Sequence, residues 1–176
     1  ERLPSIPEKV NLEFTAINAV TKEKIEPRYH YIDDGLFRHF SEITGSLEEF
    51  ILRHPIFKKD AANSDTIILP AGEYNIDKLI IVPMGVNLII EPAAVLKFGK
   101  GVSFVSYGKV TAKGTKDMPI IFTALDVKEP WGNFAVVGHD CDGTEFDYVI
   151  AEYGNESFIN GIYFTGVLAI HSASAK

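Results

Sequence analysis

The densest group of side chains able to do chemistry lies in the run His-Asp-Cys-Asp-Gly-Thr-Glu at positions 139–145. Asp140, Asp142 and Glu145 are candidate ligands for a metal ion, with calcium as the expected ion, because hard cations prefer several carboxylate oxygens. The Asp-x-Asp-Gly spacing matches only part of a calcium-binding loop. Turns between strands are also commonly rich in Asp and Gly, so a solvated loop remains the alternative interpretation.

A second candidate chemistry is acid–base cleavage of a polysaccharide, which needs converging carboxylates. Asp147 and Glu152 are the nearest such pair, and their odd spacing would place them on opposite faces of an unbroken strand. No arginine follows Arg53, so a basic catalytic residue in this region could only be a lysine. The sequence therefore names no catalytic residue, and we predict that the chain by itself is not an enzyme.

Aromatic residues form the third candidate group. Tyr107, Trp131, Tyr148 and Tyr153 could form a platform on which a sugar ring stacks, since sugar faces pack on aromatic rings as other apolar surfaces do. Tyr163 belongs to the same group. The alternative is that these rings fill the protein interior.

The elements that must position these residues are short strands. Between residues 78 and 123, β-branched and aromatic runs are each closed by Gly, Pro or a charged residue, and Val86, Leu88 and Ile90 alternate with polar or outward positions. No gap has room for the crossover helix of a βαβ unit. The pattern predicts a coil of short parallel strands in which 86–90 and 102–105 form successive turns and 162–164 a later one. The buried side chains are expected to include the following: Leu88, Ile90, Phe104, Val110, Ile121, Phe122 and Phe164.

Several motifs in this order resemble a known family. They are Val-Pro-x-Gly-Val-x-Leu-x-Ile-x-Pro (82–92), Val-Leu-Lys-Phe-Gly (95–99), Tyr-Gly-Lys-Val-x-Ala-x-Gly-Thr (107–115), Pro-Ile-x-Phe-Thr (119–123) and Trp-Gly (131–132). Together they are similar to the right-handed parallel β-helix of the pectin-lyase-like superfamily, and more narrowly to non-catalytic modules of secreted and surface proteins. The resemblance implies a mainly β fold and a rigid structural or carbohydrate-interacting role in a secreted or surface-attached bacterial protein. It also leaves an alternative open, the N-terminal part of a polysaccharide lyase or hydrolase whose catalytic turns lie outside this chain.

The segment before the coil is expected to be a small α+β cap. We predict an N-terminal strand pair over 1–33, a helical cap with a polar linker over 34–65, and the β-helix over 66–176. Asp34 is a candidate N-cap of a first helix, and Ser46 with Glu49 forms the capping-box pattern of a second.

The net charge and the lengths of the apolar runs restrict the classes of partner that the chain can bind. The net charge of −7 argues against nucleic acid and anionic lipid surfaces, and no apolar run approaches the ~20 residues of a membrane-spanning helix. The single cysteine, Cys141, excludes a disulfide within the chain. The apolar residues of 162–170 are followed by only a few polar ones, so we expect truncation at the C-terminus. That end should be covered either by end-to-end self-association or by the rest of a parent chain.

Overall fold

The computed structural model describes residues 16–25 and 39–176. The chain divides into two compact units, residues 1–33 and 34–176. In the first unit, β1 (Ala16–Ile17) and β2 (Lys24–Ile25) pair antiparallel around a turn in which Asn18 Oδ1 accepts hydrogen bonds from the amides of Val20 and Thr21. Most of the predicted strand pair over 1–33 and the helix start at Asp34 lie outside the described residues.

The elements are numbered in chain order. The helices are α1 (Phe40–Ile43) and α2 (Leu47–Arg53). The strands are β1 (Ala16–Ile17), β2 (Lys24–Ile25), β3 (Lys58–Lys59), β4 (Thr66–Leu69), β5 (Gly72–Ile76), β6 (Ile80–Val82), β7 (Asn87–Ile90), β8 (Ala94–Phe98), β9 (Phe104–Ser106), β10 (Val110–Lys113), β11 (Ile120–Ala124), β12 (Phe134–Val137), β13 (Glu145–Asp147), β14 (Val149–Ala151), β15 (Ser157–Ile159), β16 (Ile162–Phe164) and β17 (Leu168–His171).

The second unit is mainly β and is built on three parallel sheets that the chain visits in rotation. The first sheet contains β4, β7, β10 and β13, the second β5, β8, β11 and β14, and the third β6, β9, β12 and β17. β4–β6, β7–β9 and β10–β12 form three successive turns, β13, β14 and β17 form a fourth, and corresponding strands of adjacent turns pair in parallel. Leu88 therefore pairs with Val110 of the next turn rather than with a residue of the strand that follows it in the chain.

The alternation read from the sequence is confirmed. Val86, Leu88 and Ile90 are buried, whereas Asn87 and Ile89 are half-buried on the outer face. Six of the seven predicted core side chains are buried, and Ile121 is the exception, being half-buried. Its neighbour Ile120 faces inward instead, because the alternation in β11 runs through Ile120 and Phe122.

Aromatic rings stack between turns inside the second unit. The Phe134 ring lies 4.6 Å from that of Phe104 and 4.7 Å from that of Phe122, both nearly parallel to it. The Trp131 ring stacks on Phe98 at 4.4 Å. The pairs Phe104–Phe134 and Phe98–Trp131 join neighbouring turns, whereas Phe122–Phe134 joins two sheets of one turn. Such stacked pairs add to the free energy gained from burying the ring area.

The first turn is covered by α2 and β3. The predicted capping box is confirmed: Ser46 Oγ accepts from the Glu49 amide and the Glu49 carboxylate accepts from the Ser46 amide. Leu47 and Phe50 of α2 are buried and, with Phe57, belong to the core. β3 pairs antiparallel with β4 and so occupies the outer edge of the first sheet.

Two predictions about pairing are wrong. Residues 86–90 and 102–105 belong to different sheets of one turn, not to successive turns, because each turn uses three strands. Residues 162–164 are not part of the stack either, since β16 pairs antiparallel with β15 in a hairpin. Its turn is Asn160-Gly161, with φ of 51° and 77°, and this dipeptide is the one that favours tight hairpins.

The hairpin covers the outer face of the third sheet. Phe164 is buried there, and Ile159 and Ile162 pack on a cluster that includes Ile81 and Val105. Asn160 Nδ2 donates to the Tyr107 hydroxyl at 3.1 Å. The apolar residues of 159–164 thus find their burial on the outside of the stack, and the last parallel strand is β17.

Candidate functional site

The acidic loop forms a tight structural turn after β12. A single 3₁₀ turn, His139–Cys141, is followed by Asp142, whose Oδ1 accepts from the amide and hydroxyl of Ser174 at 2.8 and 3.0 Å. These hydrogen bonds lower the pKa of Asp142, because they favour its ionised form. Asp142 therefore links Ser174, near the C-terminus, to the loop.

The other two candidate metal ligands, Asp140 and Glu145, take no part in the hydrogen bonds between Asp142 and Ser174. Glu145 lies on β13 and pairs with Lys113, which holds its pKa below the ordinary value. Asp140 is exposed. Within residues 16–25 and 39–176 there is no group of three or more His, Cys, Asp or Glu side chains that could hold a metal ion.

We expect calcium to leave the melting temperature unchanged. A ligand that binds only the folded state raises stability by mass action, and here Asp142 and Glu145 already have protein partners. Differential scanning calorimetry with and without millimolar calcium checks this. A rise in melting temperature that Asp142→Ala abolishes would contradict it.

Cys141 is held as a buried structural thiol. Its Sγ lies 3.2 to 3.4 Å from three backbone carbonyl oxygens, those of Ser106, Gly108 and Val137. Burial raises the thiol pKa to about 11. Since the thiolate is the reactive form, the arrangement holds the side chain as a hydrogen-bond donor rather than as a nucleophile.

Cys141 should therefore resist thiol reagents while the chain is folded. At pH 8, 5,5′-dithiobis(2-nitrobenzoate) is expected to modify the native protein far more slowly than the protein in denaturant. The release of thionitrobenzoate, followed optically, measures both rates. Equal rates would show that the thiol is accessible in the folded state.

The carboxylates of Asp147 and Glu152 belong to different sheets. The expected unbroken strand is in fact two strands, β13 and β14, separated at Tyr148, whose φ is 47°. Asp147 ends β13 and is exposed. Glu152 follows β14 and accepts a hydrogen bond from Thr123 Oγ1 at 3.1 Å.

Two of the four candidate platform aromatics lie in the interior. Trp131 is fully buried, and its indole N–H donates to the Glu152 carbonyl at 2.8 Å. Tyr107 is buried beneath the hairpin. The faces of both rings are covered by protein.

Tyr148 and Tyr153 are exposed at the two ends of β14. Each has a positive φ, 47° and 58°, so each stands at a corner where the chain turns. The second sheet ends at β14, so both rings border an open sheet edge. Their rings are exposed to solvent, as is that of Tyr163.

The hairpin carries an exposed aromatic pair of which the sequence pointed to Tyr163 but not to Phe158. Phe158 and Tyr163 are direct cross-strand partners, and both are more than half exposed. Next to Tyr163 lies a groove of about 260 Å³ bordered also by Thr165 and His171. A feature of the sequence that could have revealed this pair is the dipeptide Asn160-Gly161 between two short runs of alternating side chains. Such a pattern predicts a β-hairpin that exposes one of its faces.

Among the described residues, 16–25 and 39–176, no helix is both long and apolar enough to cross a membrane. Comparison of the chain with protein-family models, with curated proteins and with solved structures finds no match.

Proposed function

We propose that residues 66–176 form a right-handed parallel β-helix like those of the pectin-lyase-like superfamily, acting as a rigid, non-catalytic module. The observation that supports this most is the rotation of the chain through three parallel sheets, turn after turn. Stacking of turns buries one continuous core and exposes long, regular outer faces. Such faces suit a structural spacer or an extended interaction surface.

The bonding of the acidic side chains supports a non-catalytic role. Asp142 is held by Ser174, Glu145 by Lys113, and the Glu152 carboxylate accepts from Thr123. A general acid or base needs a free carboxylate aimed at the reacting group. These carboxylates instead contribute to the fixed geometry of the last turn.

Carbohydrate is the ligand class that we propose for the module. Tyr148 and Tyr153 offer exposed rings at the two ends of one strand, and exposed rings of this kind stack on sugar faces. A polysaccharide is long enough to touch both corners. A secreted or surface-attached bacterial protein is the setting that we propose for this role.

A binding experiment tests this proposal. Affinity electrophoresis against a panel of soluble polysaccharides should retard the protein in at least one gel, and the double variant Tyr148→Ala, Tyr153→Ala should migrate freely. Met84→Ala, at an exposed position on an earlier turn, is the matched control and should behave as the parent protein. Absence of retardation by every polysaccharide, or equal retardation of the double variant, would overturn the carbohydrate assignment.

The inner side chains of the last turn are less covered than those of earlier turns, which points to a covering partner. Ile170 continues the inward column of Val82 and Val136, yet it is 47% exposed while both of these are fully buried. We propose that a second copy or further polypeptide covers this face. The N-terminal end is already covered by α2, so it offers no equivalent surface.

The 176-residue chain is accordingly expected to self-associate at high concentration. Sedimentation velocity should show a concentration-dependent increase in mass that Ile170→Lys reduces, because a charge in the apolar face disfavours burial. Leu125→Lys, at an exposed position on an earlier turn, is the control and should associate as the parent does. A monomer at every concentration would contradict this prediction.

A further inference from the structure

Two adjoining cavities in the second unit share three basic side chains. One cavity, of about 210 Å³, lies between the end of α2 and the segment that joins β5 to β6. The other, of about 280 Å³, lies between the helices and β6. Arg53, His54 and Lys78 line both cavities, so they stand where the two meet.

The remaining walls combine apolar and polar side chains. The first cavity is lined by the apolar Pro55, Ile56, Ile76 and Ile80 together with Asn75 and Asp77, and the second by Phe50, Leu79 and Ile81 together with Glu42. Apolar walls with a few convergent polar groups are the usual composition of small-molecule sites. The volumes are just below the ~300–1,000 Å³ of sites for larger ligands, so the cleft fits a small molecule.

The cationic side chains of Arg53 and Lys78 make few polar contacts with the other described residues of the protein. Arg53 Nε donates to the Glu49 carbonyl at 3.3 Å, and its Nη1 lies 3.9 Å from Glu42 Oε1, at the outer limit of an ion pair. Lys78 makes no ion pair with any residue in the described ranges. A guanidinium with free N–H groups can bind a carboxylate through two parallel hydrogen bonds.

His54 adds a third donor in a fixed orientation. Its ring lies 4.8 Å from the Phe50 ring and meets the Phe57 ring edge-on. Burial, followed by the charge of Arg53, lowers its pKa. The negative charge of an anion in the cleft would favour the protonated form of His54, so binding and protonation of His54 should favour each other.

Each of the two acidic side chains at the cleft lines only one of the two cavities. Glu42 Oε2 is paired with His39 Nδ1 at 2.8 Å, and Glu42 lines only the larger cavity. Asp77 is exposed and lines only the smaller one. The three basic residues, in contrast, border both.

We propose that this cleft binds a small organic carboxylate, with its charged group at Arg53, Lys78 and His54 and its apolar body against the cavity wall. This site is separate from the exposed tyrosines and does not depend on the proposed carbohydrate role. The carboxylate class follows from the combination of a planar guanidinium with an adjoining apolar wall.

A paired titration tests the proposal. Benzoate and benzamide have nearly the same shape, but only benzoate is charged. In ¹H–¹⁵N correlation spectra, benzoate should shift the amides of Arg53, His54, Ile56 and 75–81 in a saturable way, and benzamide should not. Binding should tighten as the pH falls toward the lowered pKa of His54, because protonation adds a positive charge beside the benzoate carboxylate.

Two substitutions locate the site. Arg53→Gln and Lys78→Met should each weaken benzoate binding by about two- to fivefold, the range expected for exposed charge pairs. Lys128→Met, at an exposed lysine on a later loop, is the matched control and should leave the affinity unchanged. Lys78→Met should also keep the parent melting temperature, since Lys78 is exposed and makes no ion pair among the described residues.

Other outcomes overturn the site. They are equal shifts with benzamide, no saturable shifts at all, or an equal loss of affinity in the Lys128 variant. An Arg53 that serves only the end of α2 would lower the melting temperature when replaced but leave benzoate binding unchanged. None of these results would bear on polysaccharide binding at Tyr148 and Tyr153.

Discussion

Replacing Phe134 with alanine is expected to lower the free energy of unfolding by about 3–5 kcal/mol. The Phe134 ring is fully buried and stacks on Phe104 of the turn before and on Phe122 of the neighbouring sheet. Truncation would remove both stacked contacts and leave a cavity between turns that cannot collapse without moving their backbones. Urea unfolding followed by circular dichroism measures the change.

Phe158→Ala is the matched control for this variant. The same substitution at this mostly exposed position on β15 removes little buried surface and should change the free energy of unfolding by less than about 0.5 kcal/mol. A loss at Phe134 as small as that at Phe158 would mean that the aromatic stack is not the core of the fold.

Gly108→Ala should cost about 3 kcal/mol or more, because there is no space for a side chain at this corner. A Cβ on Gly108 would lie 1.8 Å from the Val86 carbonyl oxygen, a backbone atom that can yield only if the adjacent turn moves. The same corner places the Gly108 carbonyl against the Cys141 thiol, so a shift there would also disturb the next turn. Thermal unfolding and the rate of thiol modification at Cys141 report the two effects.

Gly99→Ala is the control for the glycine variant. A Cβ there would meet its nearest neighbour, Val102 Cγ2, at 3.5 Å, which is an ordinary contact. We expect Gly99→Ala to be within about 1 kcal/mol of the parent, since its backbone needs no left-handed conformation. Similar losses for both variants would contradict the close approach of turns at Gly108.

The faces of the strands could be predicted from the sequence, but their partners could not. Alternation of apolar residues assigns Leu88 and Ile90 to the interior because a strand has a side-chain period of two. Nothing local says that Leu88 pairs with Val110, since that register depends on how many strands complete a turn. The sequence also does not decide which of the consecutive residues Ile120 and Ile121 faces the interior, because either could begin the series of inward side chains.

The roles of the candidate site residues were harder to predict, because they depend on which side chains are buried and which partners they meet. The sequence leaves open whether Trp131 belongs to a surface platform or to the interior, and the indole N–H finds its acceptor at the Glu152 carbonyl, twenty-one residues further along the chain. That partner allows the whole ring to be buried. The sequence likewise leaves open whether Asp142 binds a metal or lies in a solvated loop, and its partner in the structure is Ser174. Contacts between residues so far apart in sequence cannot be read from spacing.

The pairing of strands between turns is the central claim, and backbone nuclear Overhauser effects test it most directly. In isotope-labelled protein, we expect cross-peaks that place Leu88 beside Val110, Ile121 beside Val95, and Ala135 beside Val105, each with the pattern of parallel strands. Cross-peaks showing antiparallel pairing between 86–91 and 102–106, with those three contacts missing, would contradict the rotation of the chain through three parallel sheets.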